Sequence, residues 1–246
     1  MPMDFAGKTV LVTGGVGGIG KAIADYLYEL GATLILTGIP QEHVERLNAE
    51  HPDRRTYFEV DFTAPASMER FTEQLKTYDR IDACVNNAGI NIVHDYCDVP
   101  QQEFDKVFQV NTLAPYKILK AVIPTMMKNG YGRVVNIASI WSLINRPGRS
   151  SYSISKNAVH GLTKSLAVEF ASQNILINSV SPGFTLTELT ARTNTPEQIT
   201  ELSNKVPAHR MAQPIEIARV VVFLISEENS YLTGQNIAVD GGYSII

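Results

Sequence analysis

Five of the seven residues from Gly14 to Gly20 are glycine, and they stand between an apolar segment at 8–12 and a stretch of helical spacing at 21–30. Glycine admits positive φ and lets a backbone approach a ligand closely. The helix that follows offers free N–H groups and the positive end of its dipole, a seat for a pyrophosphate. The spacing is Gly14-x-x-x-Gly18-x-Gly20, not the G-x-G-x-x-G of the commonest dinucleotide fingerprint. Such a turn can also serve only to let a strand and a helix pack. Its place directly after the first strand favours binding.

The alternation that begins there continues. Apolar, β-branched runs at 33–37, 57–60, 81–85, 133–138, 176–181 and 236–239 read as strands. Helical patterns fall between them at 43–50, 67–78, 102–128, 153–172 and 214–225. Gly31 is the expected stop of the first helix, and Pro214 suits the first turn of the last. Pro115 and Pro124 lie inside 102–128, so a bend or local irregularity is expected there. The strand runs are continuously apolar, as in a parallel sheet covered on both faces. Residues 1–246 therefore predict one α/β domain, a doubly wound Rossmann fold with a seven-stranded parallel sheet and helices on both faces. A polar stretch at 185–213 interrupts the rhythm.

Composition removes several function classes. Lys plus Arg is 21 against 25 for Asp plus Glu, a net charge of −4, which argues against a nucleic-acid binder built on a basic face. The two cysteines, Cys84 in an apolar run and Cys97 in a polar loop, make neither a disulfide framework nor a metal spacing. His43, His51, His94, His160 and His209 form no cluster, and no metal is expected. Met1-Pro2-Met3-Asp4 does not read as a signal peptide, and no apolar stretch reaches about 18 residues. The expected setting is a reducing cytoplasm, without a membrane partner.

Tyr152 and Lys156 lie four residues apart in a helical stretch, hence on one face. An ammonium beside a phenol stabilises phenolate and lowers its pKa toward working pH, where a general acid/base is most effective. Ser139 ends the fifth strand, where ligands gather in open α/β sheets, and its hydroxyl can hold a substrate oxygen. Asn111, read alone, is an amide inside a helix and suggests surface decoration.

Together these residues resemble the short-chain dehydrogenase/reductase family, in its compact single-domain form, over essentially the whole chain. Thr13–Gly20 is similar to its cofactor turn, Asn86-Asn87-Ala88-Gly89 to its NNAG motif, and Asp61 to the residue it sets at the adenine ring. Asn111, Ser139, Tyr152 and Lys156 match its catalytic tetrad, with twelve residues between Ser139 and Tyr152. Pro182-Gly183 and Thr187 match the segment flanking the nicotinamide. The resemblance implies that Tyr152 exchanges a proton with the substrate oxygen, and that Lys156 lowers the Tyr152 pKa and bonds the nicotinamide ribose. Ser139 would orient the substrate oxygen, and Asn111 would hold a water linking Lys156 to solvent. It also implies cofactor contacts from Gly14, Gly17, Gly18, Ile19, Gly20, Gly38, Ile39, Asp61, Phe62, Asn87, Ala88, Gly89, Pro182, Gly183, Thr185 and Thr187, and a homotetramer.

The second strand ends in Leu36-Thr37-Gly38-Ile39-Pro40. An acid here would bond the ribose 2′-OH and indicate NAD; an Arg would favour NADP. Neither is present, and Gly17 stands where NADP users often carry a basic residue. An unpaired phosphate beside Ile39 and Glu42 would be poorly satisfied, which favours NAD. His43 or Arg46 can reach a phosphate, so NADP is the alternative.

Between Ser139 and Tyr152, Trp141 offers a flat apolar wall, and Arg146 or Arg149 can grip a carboxylate or phosphate; a solvated or subunit-facing role is the other reading of each arginine. Residues 185–213 resemble a mobile lid whose polar content suits a polar small-molecule substrate, a sugar, hydroxy acid or similar alcohol. The segment 205–210 and Val239-Asp240-Gly241-Gly242 resemble the bacterial 3-oxoacyl-(acyl-carrier-protein) reductases. Those carry arginines near the turn before the fifth strand and at the end of the catalytic helix; here the two places read Lys128-Asn129-Gly130-Tyr131-Gly132 and Ala171-Ser172-Gln173-Asn174. The acyl-carrier reductase thus stands as the alternative. A non-catalytic dinucleotide sensor or scaffold is another, which the intact tetrad argues against.

Overall fold

The structure, a computed structural model, describes residues 3–246; Met1 and Pro2, where the segment read as lacking a leader begins, lie outside them. The strands are β1 (Thr9–Val12), β2 (Thr33–Gly38), β3 (Arg55–Glu59), β4 (Ala83–Asn86), β5 (Gly132–Ile137), β6 (Ile175–Pro182) and β7 (Asn236–Val239). The helices are α1 (Gly18–Glu29), α2 (Gln41–Glu50), α3 (Pro65–Leu75), α4 (Gln101–Phe108), α5 (Ala114–Asn129), α6 (Ser150–Phe170), α7 (Glu188–Thr193), α8 (Pro196–Asn204) and α9 (Pro214–Ile225). The seven strands form one parallel sheet in the order β3-β2-β1-β4-β5-β6-β7, the expected architecture.

Both faces of the sheet are buried, which explains the continuous apolar runs. Successive strand residues point to opposite faces. Val10, Val12, Leu34, Leu36, Ala83 and Val85 pack under α1 and α9. The residues between them, Leu11, Ile35 and Cys84, pack under α3 and α5. Each fully buried Leu or Ile contributes on the order of 1.5–3 kcal/mol, so a polar residue at either parity would destabilise the sheet. Burial also pushes the Cys84 thiol pKa up, while Cys97 is exposed.

Local signals set the element ends. Gly31 closes α1 with φ +95°, and α9 starts at Pro214 with Glu216 completing a capping box on Gln213. The irregularity expected in 102–128 is a π-helical turn, Gln109–Leu113, between α4 and α5. Pro115 has no N–H for the Asn111 carbonyl four residues earlier, and the ladder re-forms through a wider turn. Pro124 does not interrupt α5. The catalytic helix begins at Ser150, earlier than the pattern suggested, so Tyr152 falls within its first turn. The polar stretch at 185–213 contains α7 and α8.

Candidate active site

The chain runs from β1 outward through β2 and β3 on one side, and from β4 through β7 on the other. Ligands bind beyond the carboxyl ends of strands at such a switch point. Thr13, just past β1, locks the two halves together. Its hydroxyl accepts from the N–H of Asn87 (2.9 Å) and of Ala88 (3.0 Å). The Asn87 amide donates back to the carbonyls of Thr13 (2.9 Å) and Gly14 (3.2 Å), so its side chain is committed to shaping the turn.

The glycines divide by role. A Cβ on Gly20 would collide with the Gly14 carbonyl oxygen, so Gly20 lets α1 pack on the turn. A Cβ on Gly17 would meet nothing within 4 Å. Gly17 is also the N-cap of α1 and supplies no side-chain cap to the first-turn N–H groups. Gly18 has φ +54°, and a Cβ there would stand 3.5 Å from the Thr187 methyl. An uncapped helix end beneath an open glycine cradle fits a dinucleotide pyrophosphate.

Around this cradle, Ile19 packs on the core under α1, and Ile39 is 58% exposed beside Gly38. The Asp61 carboxylate holds Thr63 through its N–H (2.8 Å) and hydroxyl (2.7 Å). The Phe62 ring is buried in the core with Met68 and Phe71, so only its main chain can reach a cofactor. Ala88 packs against the same core, and Gly89 lies between Asn111 and Lys156. Beyond β6, Gly183 lies where a Cβ would press on Asp240 at 2.7 Å. Thr185 donates to the Gly183 carbonyl (3.1 Å), and Thr187 caps α7.

The four residues of the expected tetrad converge at the end of β5. The Ser139 hydroxyl accepts from the Trp141 N–H (3.2 Å). Burial raises the Tyr152 pKa; contact with the Ser139 hydroxyl and the nearby Arg149 charge act the other way. Lys156 is buried, and burial lowers its pKa to about 8. Its ammonium stands 5.7 Å from the Tyr152 ring centroid and donates to the Ile137 carbonyl (2.7 Å). Asn111 is buried, so its reading as surface decoration is overturned. Its Oδ1 accepts from the Ile90 N–H (2.8 Å), and its Nδ2 donates to the Ile90 carbonyl (2.9 Å) and Ser155 Oγ (3.0 Å).

On the substrate side, Trp141 is 7% exposed, its indole in edge contact with Phe184 (6.2 Å) and Tyr243 (6.4 Å). It stands behind the site as support, not as the open wall expected of it. The Arg146 guanidinium lies 5.1 Å from the Trp141 ring centroid. Arg149 is half-buried with its Nε shielded and unpartnered, and neither arginine forms a salt bridge among the described residues. The ends of 185–213 are strapped together: Leu186 N–H donates to the Ala212 carbonyl (2.8 Å), and Ala212 N–H to that of Phe184 (2.9 Å).

A family model described as Enoyl-(Acyl carrier protein) reductase matches residues 14–244. The chain belongs to the short-chain dehydrogenase/reductase family. It is 35% identical to 3-oxoacyl-[acyl-carrier-protein] reductase FabG of Rickettsia bellii, over 99% of this chain and 100% of that protein. It is 37% identical to oxidoreductase UcpA of Salmonella typhimurium, over 98% of this chain and 96% of that one. Among solved structures, a candidate NAD(P)-dependent gluconate 5-dehydrogenase from Beutenbergia cavernae, with NADP bound at low occupancy, superposes with TM-score 0.90, 33% identity and 99% coverage of both chains.

As a short-chain dehydrogenase/reductase, the chain is an NAD(P)-dependent oxidoreductase acting on CH–OH or C=O groups. Three of its positioning residues escaped the sequence reading. Ser155 links Asn111 to the carbonyl of Tyr152 (2.7 Å). Thr37 holds the Gly14 N–H (3.0 Å). Val16 covers Gly38. Only Ser155 left a trace, as one of several small polar residues on the inward face of a long helix. The other two act across strands and leave no local signature. No helix among the described residues is long and apolar enough to cross a membrane.

Proposed function

We propose that this oxidoreductase acts on a small polar alcohol or its ketone that carries an anionic group, such as a hydroxy acid or sugar acid. The observation that carries the reading is Arg149. Its Nε is shielded and unpaired, and its charge is felt by Tyr152, three residues along the same helix end. A half-buried guanidinium whose Nε is shielded and without a partner is poorly satisfied there, and a bound carboxylate would supply paired hydrogen bonds.

When bound, the nicotinamide accepts or donates the hydride. In the oxidative direction the Tyr152 phenolate takes the hydroxyl proton as hydride leaves the carbinol carbon; in reduction Tyr152 returns that proton to the ketone oxygen. The Ser139 hydroxyl holds the same oxygen. The Lys156 ammonium would stabilise phenolate and would bond the nicotinamide ribose, while Asn111 fixes the loop at Ile90 and would hold a water beside Lys156. The glycine turn, Asp61 and the segment Pro182 to Thr187 hold the dinucleotide. NAD is the preferred form, because Ile39 and Pro40 offer no side-chain donor and Glu42 lies in the first turn of α2. One domain performs all of this in the cytoplasm. A homotetramer buries the apolar residues Tyr116, Met127, Ile154 and Val168 that α5 and α6 leave exposed.

The identity to a 3-oxoacyl-carrier reductase supports a second reading. Against it, Arg133, next to the expected carrier contact, is turned inward. Its guanidinium donates to the carbonyls of Gly132 (2.9 Å), Asn174 (2.9 Å) and Asn229 (3.2 Å) and is not free for an acidic carrier. The test is a turnover screen of hydroxy acids and sugar acids beside their uncharged counterparts, with NAD and NADP. Arg149→Met should raise KM for the acid at least tenfold and leave an uncharged alcohol unaffected. Tyr152→Phe should lower kcat by about 10²–10⁴ while NADH still binds. Equal turnover of charged and uncharged substrates, unmoved by Arg149→Met, would overturn the anionic reading.

A further inference from the structure

At the adenosine end of the cofactor site, the residue that ends β2 ordinarily meets the ribose, and its side chain discriminates the 2′-hydroxyl from the 2′-phosphate. Here that residue is Gly38, and the space above it is taken. A Cβ built on Gly38 would overlap Val16 Cγ1, lie 2.8 Å from Cγ2 and 3.2 Å from Cβ. These are rigid β-branched atoms close to the main chain, so a flexible side chain cannot swing clear of them.

Nor can the turn drift away. Thr37, the residue before Gly38, bonds it twice, accepting from the Gly14 N–H through its hydroxyl (3.0 Å) and from the Gly15 N–H through its carbonyl (3.0 Å). A Cβ on Gly15 would in turn press on Leu36 Cδ2 at 2.8 Å. The end of β2 and the glycine turn are therefore one rigid unit, with the Val16 methyls filling its concave side.

We propose that Val16 is a specificity-determining residue: it occupies the volume that a ribose-reading side chain at position 38 would need. At position 38 the ribose end then meets two methyl groups and main chain, with no charged side chain from that position to repel or hold a 2′-phosphate. Position 38 therefore contributes to discrimination only by the missing phosphate partner. The inference rests on the dinucleotide reading of the glycine turn and adds that positions 16 and 38 are coupled. An acid at 38 can act only once residue 16 is made smaller.

The experiment compares the unaltered protein, Gly38→Asp, Val16→Ala and the double variant by thermal unfolding without cofactor, and by fluorescence titration of NADH and NADPH. Gly38→Asp alone should lower Tm by about 5 °C or more and weaken both dinucleotides. Adding Val16→Ala should restore most of that Tm. The double variant should raise the NADH-over-NADPH affinity ratio at least tenfold above that of the unaltered protein. If Gly38→Asp folds as well as the unaltered protein and gains that selectivity with Val16 in place, the assignment of Val16 is wrong. Strictly additive effects of the two changes on Tm would equally overturn it. Failure of the unaltered protein to bind either dinucleotide would overturn the dinucleotide reading itself, and the assignment with it.

Discussion

The Lys156 ammonium donates to the main-chain carbonyl oxygen of Ile137 at 2.7 Å, inside the protein, with no carboxylate paired to it among the described residues. An ammonium held this way is a burden on the fold. Burial lowers its pKa from 10.5 to about 8, so between those values the unfolded chain binds the proton more tightly than the native one. Stability contributed at this site therefore rises with pH across that window, and the penalty is present in full below it. Lys156→Met is expected to raise stability at pH 7 by about 1–3 kcal/mol while abolishing turnover. Denaturant titrations of both proteins at pH 7 and 9.5 should show the gap narrowing at the higher pH. A Met variant less stable than its parent at pH 7 would mean the bond to Ile137 outweighs the burial.

Gly17 and Gly20 separate binding from folding. Gly17 has extended backbone that any residue adopts, and open space where its Cβ would be. Gly17→Ala should melt within about 2 °C of the parent yet bind NADH at least tenfold more weakly, because the methyl intrudes on the cradle. Gly20→Ala drives a Cβ into the Gly14 carbonyl and the Asn87 amide, and should lower Tm by about 10 °C or yield no folded protein. Circular-dichroism melts with a NADH titration of each variant check the pair; similar melting behaviour of the two would refute the division.

Asn111 satisfies both main-chain polar groups of Ile90. Removing the amide leaves them, and the buried Ser155 Oγ, without that partner. Asn111→Ala should cost about 2–4 kcal/mol in urea unfolding. A loss below about 0.5 kcal/mol would show that water replaces the amide at little penalty.

Thr13 offers a cleaner substitution, because Val has the same shape. Thr13→Val strands the N–H groups of Asn87 and Ala88, and is expected to lose about 2–3 kcal/mol and to weaken NADH binding. Thr13→Ser keeps the hydroxyl and should retain most of both. If Val and Ser behave alike in stability and titration, the hydroxyl does not hold β1 to β4.

What could be read from the sequence followed the range of the forces involved. Pro214 and Asn236 mark the starts of α9 and β7 as expected, because a proline at a helix start and a short apolar strand are local signals. Doubly covered strands announce themselves by losing polar alternation, so the sheet was legible. The residues brought to the end of β5 were legible only as a set, through resemblance. Asn111 alone pointed the wrong way, since its burial depends on Ile90, which lies across a turn of the fold, and on a π-helical turn that no periodicity encodes. Trp141 looked like a pocket wall because nothing local reveals that Phe184 and Tyr243 cover it. Gly38 could be seen to lack an acid, but Val16 above it could not.

The strap between Thr185 and Ala212 carries a consequence for how such a protein changes over generations. Because the segment leaves β6 and enters α9 at one tethered point, its contents can be lengthened, shortened or recomposed while the sheet beneath stays in register. Ser139 just past β5, Asn111 in the π-helical turn, and Tyr152 and Lys156 on α6 all lie outside the exchanged part. Preference for one alcohol over another can then drift quickly under selection while the reaction itself is inherited intact. One ancestral framework can in this way supply many metabolic niches.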